Sequence, residues 1–228
     1  MKSFPGILSS KGASIDAFRF AHKKKKKNHK KGLPVYDQTE IKKINYAEDG
    51  VELLTERGFR VKCKKIIFCT GFETLSMFKK KYADIVTTFA TVSEQNINLY
   101  PLLKDTLIWD TYDPYIYMRT TSDRRLLVGG EDVKIKYNAL TDKLKDREAD
   151  KLIEKIYQLF PEGKFLPDYN WAGAFGVTKD GLPYIGEHPD FQNAIFVLGL
   201  GGNGITFSVQ GMRLVLKILA KQPDALLQ

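Results

Sequence analysis

Apolar positions along the chain follow two rhythms, one of helical spacing and one of alternation, and together they divide it into elements. From Asp16 to Lys31 the pattern opens a helix. Asp16 stands at its N-cap, Ala17, Phe18, Phe20 and Ala21 fill the first turns, and Gly32 stops it. Extending the stripe from Phe18 and Ala21 requires apolar residues near 25 and 28, where Lys25 and Asn28 stand, so only the first half is expected to bury a face. The stretches "LPVYDQTEIKKINY", "VELLTERG" and "FRVKCKKIIFCTG" alternate or run apolar as strands do, with "EDG" and "ERG" as turns. Between 79 and 137, "DIVTTFATV", "TLIWDTY", "PYIYMRTT" and "RLLVGGE" are β-branched or aromatic runs parted by turn residues, the pattern of an antiparallel sheet. From Leu140 to Phe160 the residues Leu144, Leu152, Ile153, Ile156 and Leu159 predict an amphipathic helix ended by Pro161. A glycine-rich stretch, "YNWAGAFGVTKDGLPYIG", then leads to a strand, "AIFVLG", and a helix from about Ile205 to Lys221.

Two features of this pattern carry candidate chemistry. Alternation in "PYIYMRTT" puts Tyr115, Tyr117, Arg119 and Thr121 on one face and Ile116, Met118 and Thr120 on the other. That polar, aromatic face suits a ligand, and equally the solvent side of an ordinary sheet. The second feature is glycine at the ends of strands. "IIFCTG" ends on Gly71, where no Cβ hinders the approach of another backbone or a flat ligand. "GLGGNGITFS" has glycines at 199, 201 and 204 in GxGxxG spacing, between a strand and a helix. A dinucleotide fingerprint, however, opens a βαβ unit of about 30 residues with an acidic residue about 20 positions on, and this loop lies too close to the C-terminus for that. What remains is a set of backbone N–H groups at a helix N-terminus, which favours an anion or an electron-rich carbonyl. The plainer alternative is that these glycines only make turns.

Composition narrows the field. With 228 residues, 43% of them hydrophobic, the chain can build one large or two modest domains. No run approaches the ~18 apolar residues of a membrane span, and "MKSFPGILSSKG" lacks the apolar centre of a signal peptide, so a cytoplasmic location is expected. Cys63 and Cys69 lie in one apolar segment and are expected as buried thiols. With no CxxC pair, and with His22, His29 and His188 scattered, no metal site is expected. The net charge of +9 is concentrated in the run from Lys23 to Lys31, which begins with the five lysines Lys23 to Lys27. Without interleaved aromatics or a recognisable module, this reads as a solvated helix and not as a nucleic-acid surface.

The order of "SKGASIDAFRFAH", "GLPVYDQTEI", "KKIIFCTGFE", "RLLVGGED", "WAGAFGVTKDGLPYIG" and "GLGGNGITFSVQG" resembles the glycine oxidase, sarcosine oxidase and D-amino-acid oxidase family of FAD-dependent oxidoreductases, over nearly the whole chain. Members of that family begin with a strand, a GxGxxG turn and a helix that hold the FAD pyrophosphate. The blocks found here match the C-terminal part, with Met1 near the entry to the segment between the family's two domains.

The resemblance implies an α/β plus α+β fold. Residues 13–75 and 176–228 form a partial, Rossmann-like FAD-binding domain, and residues 1–12 and 76–175 an antiparallel-sheet substrate-binding domain. It implies non-covalent FAD, with Gly201, Gly202, Asn203, Gly204, Ile205 and Thr206 at the carbonyl side of the flavin ring, Cys69, Thr70 and Gly71 at a strand end near the cofactor, and Ile41 in the strand beside the adenine. It also implies oxidation of an amine or amino acid by hydride transfer to flavin, with no general base named. Tyr117, Arg119, Trp171 and Phe175 are the candidate substrate contacts. Amino-acid oxidases of the family carry an arginine for the substrate carboxylate where Phe175 stands here, which puts that mode of binding in doubt. Two alternatives stay open: a non-catalytic remnant, or a subunit whose partner carries the pyrophosphate-binding segment.

Overall fold

In the computed structural model, which describes residues 5–95, 103, 106–134 and 140–227, the contacts gather the chain into two units. Unit 1 is Met1–Ser14 with Ile85–Ala174, and unit 2 is Ile15–Asp84 with Phe175–Gln228. The elements run α1 (Ala17–His29), β1 (Ile41–Ala47), β2 (Gly50–Thr55), β3 (Arg60–Cys63), β4 (Ile66–Phe68), β5 (Asp84–Ser93), β6 (Leu107–Trp109), β7 (Ile116–Thr120), β8 (Leu126–Val133), α2 (Asp142–Leu159), β9 (Pro167–Val177), β10 (Tyr184–His188), β11 (Phe191–Leu198) and α3 (Gly204–Leu219). Among the described residues no helix is long and apolar enough to cross a membrane.

Unit 2 is layered. One sheet has the order β1-β2-β3 and a second the order β10-β11-β4. β4 runs parallel to β11, with Ile66, Ile67 and Phe68 opposite Ala194, Ile195 and Phe196. β11 reads as an unbroken apolar run because both of its faces are covered. Ala194, Phe196 and Leu198 pack with Phe68, Ile44 and Tyr46 on the side of the first sheet. Ile195 and Val197 pack with Val215 and Ile218 of α3 on the other side. Each such side chain contributes about 1.5–3 kcal/mol when fully buried.

Unit 1 is an antiparallel-rich sheet of order β6-β7-β8-β5-β9 with α2 on one face. Thr141 caps α2 by accepting from the backbone N–H of Leu144. Leu152 and Ile156 of the helix pack with Phe89, Ile116, Met118, Leu126 and Val128 of the sheet. The buried carboxylate of Glu148, whose side chain is 1% exposed, lies on α2 and is held by Lys151 and Arg147.

Three expectations change. In α1, Asp16 accepts from the N–H of Arg19 as a cap, but no residue of the helix is buried and Phe18 is 74% exposed. Its apolar first turns find no partner surface among the described residues, and Phe18 lies instead against the His22 ring at 4.3 Å. The strand expected across "LPVYDQTEI" begins only at Ile41: Gln38 takes φ +46° and the Thr39 hydroxyl donates to the Asp37 carbonyl, which turns the chain before pairing can start. Cys69 is exposed and Cys63 half-buried, in place of two buried thiols, because Cys69 lies past the end of β4, an outer strand of its sheet.

Candidate functional site

The parallel pairing of β4 with β11 decides what comes together in unit 2. Since Phe68 lies opposite Phe196, both strands leave the sheet at the same end and about 4.8 Å apart. Cys69, Thr70 and Gly71 leave β4 there, while Gly199, Leu200 and Gly201 leave β11 and lead into α3. Ligands of open α/β sheets collect outside the carboxyl ends of parallel strands, and this is such an end. Gly71 has φ +61° and Gly201 has φ +54°, and a Cβ on either would meet nothing within 4 Å. These positions need glycine for their backbone conformation, and they leave open space above it. The Thr70 and Thr74 hydroxyls bond each other at 2.5 Å, which fixes the turn after β4.

At the start of α3, Asn203 occupies the N-cap with no side-chain hydrogen bond to the helix. A 3-10 turn at Gly201–Asn203 runs straight into the helix, and neither Leu200 before the turn nor Asn203 before the helix caps it with a side-chain hydrogen bond, so the positive end of the helix dipole here meets no capping side chain. Gly202, Asn203, Ile205 and Thr206 are exposed around it. The glycine-rich turn before β10 is built for its place: the Thr178 hydroxyl donates to the Leu182 carbonyl at 2.8 Å, and Asp180 accepts from the Leu182 N–H at 3.1 Å. Ile41 stands apart, at the first residue of β1 in the other sheet, paired with Thr55. A shallow hollow lined by Lys65, Glu187, His188 and Phe191 lies at the opposite end of β4 and β11, where the Lys65 ammonium bonds Glu187 at 2.6 Å.

In unit 1 the sheet face opposite α2 carries Tyr115, Tyr117 and Arg119. Tyr117 lies over Gly129, where any Cβ would enter its phenol ring. A bulge in β8 shapes the rest of this face. Thr87 of β5 pairs with Val133 but Phe89 pairs with Gly130, so one residue of β5 faces two of β8, with φ +136° at Gly130 and +52° at Glu131. The extra residue reverses the alternation. Glu131 turns inward and pairs with Lys155 of α2, and Asp132 joins the tyrosine face.

The Tyr115 hydroxyl lies beside the Asp132 carboxylate and Tyr117 beside Thr88, whose hydroxyl donates to the Gly130 carbonyl at 3.4 Å. Burial first, and then the charge of Asp132, push both tyrosines above the ordinary phenol range. Sequence reasoning missed Asp132 and Thr88; the signal for them was the pair Gly129–Gly130 inside a strand. Trp171 and Phe175 both stand on β9, Trp171 exposed in unit 1 and Phe175 half-buried in unit 2. Among the described residues no three His, Cys, Asp or Glu side chains gather as a metal site.

The strand ends of unit 2 fit a flat, electron-rich cofactor edge, with open glycine backbones beside an uncapped helix N-terminus. Comparisons with known proteins give the family and the fold. A family profile described as "FAD dependent oxidoreductase" matches residues 3–215. Glycine oxidase of Bacillus licheniformis is 24% identical over 180 residues, 76% of this chain and 46% of the relative. The crystal structure of glycine oxidase from Geobacillus kaustophilus superposes with a TM-score of 0.67 at 21% identity, over 85% of this chain and 51% of that one. L-proline dehydrogenase from P. horikoshii superposes with a TM-score of 0.74 at 17% identity, over 92% and 57%. The chain spans about half the length of these relatives.

Proposed function

The chain belongs to the family of FAD-dependent oxidoreductases, and from that premise we propose that it forms the flavin-ring portion of an enzyme oxidising an amine or amino acid. The observation that carries this reading is the shared exit of β4 and β11 beside the uncapped start of α3. Gly201 to Thr206 hold the electron-rich edge of the flavin through first-turn N–H groups, Cys69 to Gly71 border it, and Ile41 contributes backbone near the adenine. Unit 2 is then the partial FAD-binding domain and unit 1 the substrate-binding domain, with Tyr117, Arg119 and Trp171 as its substrate contacts; Phe175, the fourth candidate, lies in unit 2. When bound, the flavin supplies the two-electron acceptor, and hydride transfer from the substrate carbon is the expected step. The protein's part is to position the substrate and to place positive potential where charge develops; no side chain is assigned as a general base.

A specific observation also supports a partner. Ile205, Val209, Met212, Leu216 and Leu219 form one exposed apolar stripe along α3, at spacings of three and four residues. In the same unit β4 closes one side of its sheet order, with Ile67 exposed. Polypeptide bearing the pyrophosphate-binding segment, in the same chain or as a separate one, covers this surface and completes the cofactor site.

Anaerobic mixing of the natively purified, FAD-loaded protein with amines, amino acids and 2-hydroxy acids tests the reaction. The flavin absorbance bleaches with a C–N substrate and stays with the hydroxy acids. Bleaching by hydroxy acids alone overturns the reading.

A further inference from the structure

The tyrosine face of unit 1 contains a carboxylate that no cation among the described residues pairs with. Asp132 reaches this face only because of the β8 bulge. Its Oδ1 is closed off from solvent and has no hydrogen-bond partner among the described residues, while the Tyr115 hydroxyl lies beside the carboxylate. Glu131, its neighbour, has Lys155, and Glu148 has Lys151 and Arg147; Asp132 has no ion pair among the described residues. Arg119, a cation on the same strand face, lies four residues beyond Tyr115 along the sheet, about 13 Å at the backbone, and Lys134, two residues past Asp132, is exposed with no ion pair to Asp132 among the described residues. The Arg119 Nη1 donates to the Thr120 carbonyl at 3.4 Å. A carboxylate drawn out of water without a cation is costly, so a site built this way is completed by a ligand that brings one. The Tyr115 and Tyr117 rings, 6.3 Å apart and tilted by 32°, add π faces of the kind that hold ammonium groups.

We propose that Asp132, walled by Tyr115 and Tyr117, is the anchor for the ammonium group of the substrate, and that the substrate is a primary or secondary amine without a carboxylate next to its nitrogen. This rests on the reading of unit 1 as the substrate side of an amine oxidoreductase and narrows it. An α-amino acid held by its ammonium at Asp132 would bring its own carboxylate within a few ångströms of that acid, a like-charge contact that disfavours it. A simple amine has no such conflict, and its carbon chain meets tyrosine rings.

Calorimetric titration of the natively purified full protein at neutral pH, with N-methylbutylammonium, glycine and propionate as probes, tests this. N-methylbutylammonium binds, and neither glycine nor propionate competes with it. Asp132→Asn, which keeps shape and removes charge, weakens the amine tenfold or more, and Tyr115→Phe weakens it severalfold. If circular dichroism finds Asp132→Asn unfolded, Tyr115→Phe and the competition series decide. Amine affinity indifferent to both variants overturns the proposal, as does glycine binding more tightly than the amine and losing its affinity in Arg119→Ala. The two readings fail differently. Amine binding without flavin bleaching sinks the oxidoreductase assignment, whereas bleaching by amines that ignores Asp132→Asn sinks the anchor alone.

Discussion

Asn203 offers a perturbation whose effects on stability and on cofactor binding have opposite signs. It is exposed at the N-cap of α3 and makes no side-chain hydrogen bond to the helix. Asn203→Asp exchanges an amide for a carboxylate of the same shape, both good N-cap residues, and sets a full negative charge beside the roughly half positive charge of the helix dipole. For the fold this is favourable by about 0.3–1 kcal/mol, which raises Tm by about 1–4 °C in a chain of this size. For FAD it is unfavourable, because the new charge uses the same field that the flavin edge needs. Loss of a dipole interaction of about 0.3–2 kcal/mol weakens Kd between about twofold and about thirtyfold. Both effects shrink as salt screens the terminus. Thermal melts and flavin fluorescence quenching on natively purified protein, stripped of flavin and reloaded, measure the pair. A stabilised variant with unchanged FAD affinity refutes the placement of the ring at α3, and a destabilised variant refutes the reasoning about the bare helix end.

Other expectations follow from packing and charge. Gly129→Ala drives a Cβ into the Tyr117 ring, with Cε2 at 2.9 Å, and costs about 1–3 kcal/mol in urea denaturation; in a Tyr117→Ala background the cost disappears, and an equal loss in both backgrounds contradicts the steric account. Burial alone would raise the pKa of Glu148, but hydrogen bonds from Lys151 and Arg147 outweigh it and bring the group below its ordinary 4.5. Its contribution to stability is therefore complete above that ordinary value and is lost as pH falls through the lowered one. Glu148→Gln should flatten the acid limb of a stability-versus-pH curve, and an unaltered limb would show that other carboxylates set it. The α3 stripe predicts association: Val209→Lys with Leu216→Lys removes two apolar contacts of about 1.5–3 kcal/mol each and releases the partner segment, read by sedimentation and co-purification. Unchanged assembly would show that the stripe is not the contact.

What the sequence revealed depends on how local its cause is. α2 and α3 were legible because their apolar residues keep helical spacing and their ends carry ordinary signals, Thr141 before one and glycines before the other. The faces of β7 were legible because alternation there is unbroken: Ile116 and Met118 are buried as expected. Alternation carried into β8 would have put Glu131 on the tyrosine face and Asp132 in the core. The bulge reverses this, and only the paired glycines hinted at it. The α1 stripe misled because periodicity states that a face is apolar and not whether a neighbour exists to cover it. The adjacency of Gly71 and Gly201 could not be read from either segment alone. It follows from the parallel register of β4 with β11, a pairing between residues far apart in the chain.

Photolabelling tests the central claim most directly, using the natively purified protein loaded with FAD that carries an azide on the pyrimidine end of its ring. After digestion, the label is predicted on the peptides holding Cys69 to Gly71 and Gly199 to Thr206, with unlabelled FAD protecting both. Label spread over the lysines of α1 or elsewhere, or no FAD retained at all, would contradict the account.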